Sequence, residues 1–125
     1  MLKDRDSSAI VAVRNLERAR AFYRDVLGLW LTREGKEMEV LVFRSGATKL
    51  LVYRSDFAGT NRANAVVWSV GDALDSVVAA LEAKGVAFLH YPDIGRLEGH
   101  VHHADGAKLV WIKDPDGNIL HINSR

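Results

Sequence analysis

Ser8-Ala9-Ile10-Val11-Ala12-Val13, followed by Asn15-Leu16-Glu17-Arg18-Ala19-Arg20-Ala21-Phe22-Tyr23 and Val26-Leu27-Gly28-Leu29, carries the pattern on which the architecture rests. The first run is short and β-rich. Asn15 is a good helix N-cap residue. Leu16, Ala19, Phe22, Tyr23, Val26 and Leu27 then recur at helical spacing and predict one buried stripe. Gly28 suits a left-handed helix stop. The same grammar returns downstream. Ala65 to Val70 is β-rich, Asp72 is a candidate cap for a helix carrying Leu74, Val77, Val78 and Leu81, and Gly85 is the stop. Val13 and Val70, Gly28 and Gly85, and Leu29 and Val86 each lie 57 residues apart.

Three β-type segments follow each helix. In the first half they are Trp30 to Arg33, Met38 to Arg44 and Lys49 to Arg54, with Ser45-Gly46 as a hairpin turn. In the second they are Ala87 to Tyr91, Lys108 to Lys113 and Ile119 to Asn123, the last two flanking the turn Asp114-Pro115-Asp116-Gly117-Asn118. Leu41-Val42-Phe43 matches Val110-Trp111-Ile112, and Leu51 matches Leu120, at an offset of 69. The two offsets differ by 12, so the second half carries about that many extra residues between Tyr91 and Lys108. The expectation is one domain over 1–125, built from two βαβββ modules at about 6–55 and 63–125. It is an α+β fold with a curved mixed sheet, helices on the convex side and a concave ligand cavity.

Composition narrows the function. A chain of 125 residues with 48% hydrophobic and 26% charged content buries a core without cross-links. Lys+Arg 17 against Asp+Glu 16 gives no electrostatic reason to expect nucleic acid or a membrane surface as partner. The absence of cysteine excludes disulfides, thiolate metal sites and cysteine nucleophiles. The charged N-terminus and the lack of any apolar run near about 20 residues make a cytoplasmic protein the expectation.

The helix Asn15–Tyr23 with Val26-Leu27-Gly28-Leu29, and the turn Lys113-Asp114-Pro115-Asp116-Gly117-Asn118, resemble the first helix and last hairpin of the vicinal oxygen chelate superfamily. Glyoxalase I, bleomycin-resistance proteins and extradiol dioxygenases belong to that superfamily. The resemblance implies metal ligands on the first and last strand of each module, pointing into a cup. Carried onto this chain, the four positions are Ser8, Val52, Ala65 and His121. Only His121 is a serious donor, whereas a divalent centre needs at least three. The standard metal site is missing, and no cofactor is expected.

Strand alternation places Ile10, Leu50, Val67 and Ile119 in an apolar lining with Ser8, Val52, Ala65 and His121, and Arg54 and Asn123 at its rim. Trp30 and Trp111 are stacking candidates, Trp68 has the opposite parity, and Phe57 lies in the linker. His121 is a candidate ligand contact or general base, and the only catalytic candidate; the bland alternative is a histidine bonded to a neighbour. His90 and Tyr91 end a strand at the cavity edge. His100, His102 and His103 fall in the extra segment near Glu98 and Asp105. They permit a two-histidine clip, but a solvated loop is the simpler reading.

Three functions follow from these residues. First is a metal-free protein that binds or sequesters a planar aromatic metabolite or antibiotic. Second is a glyoxalase- or dioxygenase-type enzyme using a rearranged metal site with His121 and the loop histidines. Third is a metal-independent isomerase or lyase with His121 as acid-base group. The partners expected are a small organic ligand and a second copy of the chain, since open sheets leave edges and the resembled family is mostly dimeric.

Overall fold

The computed structural model describes all 125 residues. They form two compact units, Met1–Ala58 and Gly59–Arg125.

The first unit runs β1 (Ala9–Val13), α1 (Leu16–Arg20), β2 (Trp30–Gly35), β3 (Val40–Ser45) and β4 (Thr48–Arg54). Asn15 caps α1 as expected, its Oδ1 accepting from the Arg18 amide at 3.0 Å. Beyond Arg20 the helix widens into a π-turn over Ala21–Val26, marked by the Leu27 amide reaching the Phe22 carbonyl at 2.9 Å. Helical spacing of apolar residues does not distinguish that wider turn from an α-helix. Gly28, at φ +75°, then ends it. The strand order is β1-β4-β3-β2, with β1 and β4 parallel and the other pairs antiparallel. One face of this sheet packs against the helix through buried Val11, Val13, Leu41, Phe43, Leu50 and Val52, and Tyr23 meets Phe43 at 5.9 Å between ring centres.

The second unit runs β5 (Asn64–Ser69), a 3₁₀ turn (Gly71–Ala73), α2 (Leu74–Ala83), β6 (Ala87–Leu89), β7 (Arg96–Glu98), β8 (Val101–Ala104), β9 (Ala107–Lys113) and β10 (Ile119–Asn123). Here β5 and β10 are parallel, and the order β5-β10-β9 repeats β1-β4-β3. Asp72 does not cap α2. It sits inside the 3₁₀ turn, which leads the chain into the helix, and the cap position falls to Ala73 without a side-chain bond. Gly85, at φ +72°, stops the helix where the repeat requires.

The extra segment is not a loop. Residues 96–104 form the β7–β8 hairpin, and β8 pairs with the N-terminal half of β9 while β6 pairs with its C-terminal half. The one strand β2 that flanks β3 in the first unit is therefore replaced, beside β9, by a short strand plus a hairpin. Asp105-Gly106, both at positive φ, form the two-residue turn between β8 and β9. That dipeptide is a strong hairpin signal in the sequence.

The last strands align differently from the expectation. Leu120 and Ile122 take the buried, helix-side places that Leu50 and Val52 hold in the first unit, so their offset is 70, not 69. The hairpin loops differ in length: two residues separate β3 from β4, and five separate β9 from β10. One residue of slip moves every side chain of a strand to the other face. In the first unit Val11 lies opposite Val52 and Val13 opposite Arg54. Leu50 and Val52 therefore pack toward α1, with Arg54 on the same parity, and none of the three joins Ile10 on the opposite face. The first-unit mate of His121 is Leu51.

Candidate functional site

Three strands of the second unit bring one row of side chains together. Val67 of β5 lies opposite His121 of β10, which lies opposite Trp111 of β9. Leu120, Ile122, Val110 and Ile112 occupy the alternate positions and are buried on the helix side, so the row projects from the other face. Val67 is 56% exposed, His121 is half-buried and Trp111 is buried.

Trp111 is closed in by aromatic rings. His121 stacks on it at 4.7 Å with planes 24° apart, while Tyr91 and His102 meet it edge-on at 5.1 and 5.0 Å. His102 is fully buried, and its Nε2 accepts from the Tyr91 amide at 2.9 Å. Its other nitrogen has no well-formed hydrogen bond. Burial lowers the His102 pKa below the ordinary imidazole value, against a smaller opposing effect of nearby backbone groups. A ring that accepts on Nε2 is neutral, with its proton on Nδ1.

His121 has the same protonation but a more open nitrogen. Its Nδ1 donates to the Val110 carbonyl at 3.0 Å, the only direction a carbonyl permits. Nε2 therefore carries a lone pair, which accepts from Asn123 Nδ2 at a long 3.3 Å. The Asn123 amide is oriented by its Oδ1, which accepts from the Arg125 amide at 3.1 Å. Burial lowers the pKa of His121, and the Val110 hydrogen bond only partly offsets it. A neutral ring of fixed tautomer beside an amide N–H can accept a hydrogen bond or take a proton.

Of the residues expected at the site, Val67, Trp111, His121 and Asn123 come together in this row and its rim. Ile119 has the same parity, but it is buried opposite Lys113 at the start of β10. Ala65 falls at the irregularity between β5 and β10 and is half-buried. Ser8 is exposed just before β1, where it lines a surface cleft with Arg5, Asp6, Ser7, Ala47, Thr48 and Lys49. Ile10 is 59% exposed on the face opposite α1. Arg54 pairs with Asp56 at 2.8 Å. Trp30 is exposed with the Arg44 guanidinium 4.4 Å above its ring.

His102 is the site residue that strand parity misses, because the expectation treats its segment as a loop. Tyr91, expected at the end of a strand at the cavity edge, lies two residues beyond β6 and meets Trp111 edge-on. His100 and His102 do not form a clip. His100 lies in the turn before β8, where its Nδ1 meets His90 Nε2 at 2.8 Å, its ring stacks on Phe88 at 4.0 Å and its Nε2 faces Glu82 at 3.5 Å. His103 faces Glu98 at 3.5 Å.

The donor set does not fit a divalent metal. Val52 is a buried hydrocarbon facing α1, Leu51 in the place repeated by His121 is no better, and Ser8 and Ala65 add no strong donor. No group of three or more His, Cys, Asp or Glu side chains is arranged to hold a metal ion. No helix is long and apolar enough to cross a membrane.

The fold has many relatives. A glyoxalase family protein from Enterococcus faecalis superposes with a TM-score of 0.74 at 20% identity, covering 98% of this chain and 99% of that one. A lactoylglutathione lyase from Agrobacterium tumefaciens gives 0.73 at 20% identity, covering 96% and 92%. The fosfomycin resistance protein FosX from Mesorhizobium loti gives 0.71 at 13% identity, covering 98% and 92%. At such identities these likenesses show the fold alone. No curated protein matches the chain. The family model of the glyoxalase/bleomycin resistance protein/dioxygenase superfamily matches residues 7–122, nearly the whole chain, and the chain belongs to that superfamily.

Proposed function

We propose that this chain is a metal-free small-molecule-binding protein that holds a flat, largely apolar molecule against the Val67–His121 face of its second unit. The observation that carries the reading is the aromatic bed itself. His121 lies flat on a buried tryptophan, exposes a neutral ring edge, and is flanked by an exposed valine instead of by further metal donors. Stacked rings backed by a packed core form a rigid surface, and beside His121 its polar groups are one acceptor and one nearby amide. Burying about 200 Å² of an aromatic ligand there gains roughly 5 kcal/mol before association costs. Sequestration of an antibiotic or similar metabolite is the biological purpose that such a face suits.

A screen of planar aromatic compounds by thermal shift and tryptophan fluorescence tests the proposal. Hits should lose at least about tenfold in affinity in Val67→Arg, which places a solvated charge on the face. Unchanged affinity in a folded Val67→Arg protein contradicts it.

A second reading shares the site. The locked tautomer of His121, with Nε2 free of any carbonyl or carboxylate partner, also suits a proton-transfer role in a metal-independent isomerase or lyase. Turnover of a bound compound that is abolished by His121→Gln, with a pH–rate limb set by His121, would favour this enzyme over the binding protein.

A further inference from the structure

We infer that the polar group read at this face is an un-ionised hydroxyl on an aromatic ring, a phenol or naphthol, in preference to a carboxylate, phosphonate or ether. The inference deepens the binding reading above and rests on it. Hydrogen-bond polarity at the ring edge carries it. The His121 Nδ1 proton is committed to the Val110 carbonyl at 3.0 Å, so the nitrogen left to a ligand, Nε2, presents a lone pair. Asn123 cannot turn its oxygen outward without giving up the Arg125 amide at 3.1 Å, so it presents N–H. The edge therefore offers one acceptor and one donor on alternate residues of one strand, themselves joined only by a long 3.3 Å contact.

A hydroxyl satisfies both at once, donating to Nε2 and accepting from Nδ2. A carboxylate or phosphonate oxygen would face the Nε2 lone pair with another lone pair. An ether oxygen can accept from Asn123 but leaves Nε2 with only the long Asn123 contact as donor. Buried acceptors left unmatched cost binding energy, which makes the distinction a matter of affinity and not only of orientation.

The test uses four probes of one shape at neutral pH: naphthalene, 2-naphthol, 2-methoxynaphthalene and 2-naphthoate. They are titrated against the full chain by tryptophan fluorescence and calorimetry, then against His121→Phe, which keeps a flat ring on Trp111, and His121→Gln, which keeps an acceptor. The expected result is 2-naphthol binding about tenfold tighter than the ether or the carboxylate. That margin should collapse in His121→Phe, with naphthalene binding retained, and be partly restored in His121→Gln. Equal affinity for naphthol and ether, tightest binding of naphthoate, or a margin that survives in His121→Phe overturns the inference while the aromatic-binding reading stands. If none of the four binds the unaltered chain, both are overturned.

Discussion

His102 shows how one residue ties the site to the solvent. It is fully buried, accepts from the Tyr91 amide and packs edge-on to Trp111, all as a neutral ring. Its folded pKa is lowered by burial, while the unfolded chain titrates near about 6.5. The unfolded state therefore binds the proton first, and stability present above about pH 6.5 is lost as pH falls below it. His121, also lowered by burial, adds in the same direction. Thermal midpoints should accordingly fall between pH 8 and pH 5, and the slope should flatten in His102→Leu. A midpoint that stays level or rises on acidification would contradict the assignment. Asp114 is a second residue with outsized effect. It is buried, its Oδ1 accepts from the amides of Asp116 and Asn118 at 2.9 and 2.8 Å, and its Oδ2 accepts from Asn118 Nδ2 at 2.7 Å. Stranding those donors in Asp114→Ala should destabilise the fold by about 2–4 kcal/mol, measurable by urea unfolding.

At the level of elements, the β7–β8 hairpin is what carries His102 onto Trp111. Gly95 admits it. A Cβ there would lie 2.2 Å from the His103 carbonyl oxygen, and its φ of +59° is one that side chains rarely adopt. Gly95→Ala should loosen the hairpin, and Trp111 emission should shift to the red as water reaches the ring; an unchanged spectrum would show that the hairpin does not depend on this approach. The same hairpin marks where sequence reading stopped. Helix positions, their glycine stops and the doubled β-α-β-β-β order are legible because apolar spacing, Asn15, Gly28 and Gly85 act locally. The facing of the last strands is not, because it depends on how many residues each turn consumes. The five-residue turn after Lys113 shifts the match by one and exchanges Val52 for Leu51 as the mate of His121. His121, Val67 and Asn123 are still placed together because they lie in one unit, on two strands whose parity the sequence predicts correctly. His102 escapes that reading because its contact with Trp111 depends on the pairing of β8 with β9, which only Asp105-Gly106 foreshadows.

For the whole molecule, superfamily membership sets the architecture but leaves the chemistry to the side chains on it. Those side chains describe an aromatic face with one neutral histidine and no cluster of metal donors. Edge strands remain in each unit, β1 and β2 in one and β5, β6 and β7 in the other. Unpaired edges are commonly covered in association, and we propose a homodimer. Light scattering at micromolar concentration should give twice the 13.9 kDa of the chain, and a mass near 13.9 kDa would rule the dimer out. The central claim is that an aromatic molecule binds this face without metal. A ¹H–¹⁵N NMR titration of chelator-treated protein with 2-naphthol tests it most directly. The account predicts saturable shifts at Val67, His121, Asn123 and the Trp111 indole N–H in the absence of added metal. No saturable shift at those four residues, or shifts that appear only after a divalent metal is supplied, would contradict it.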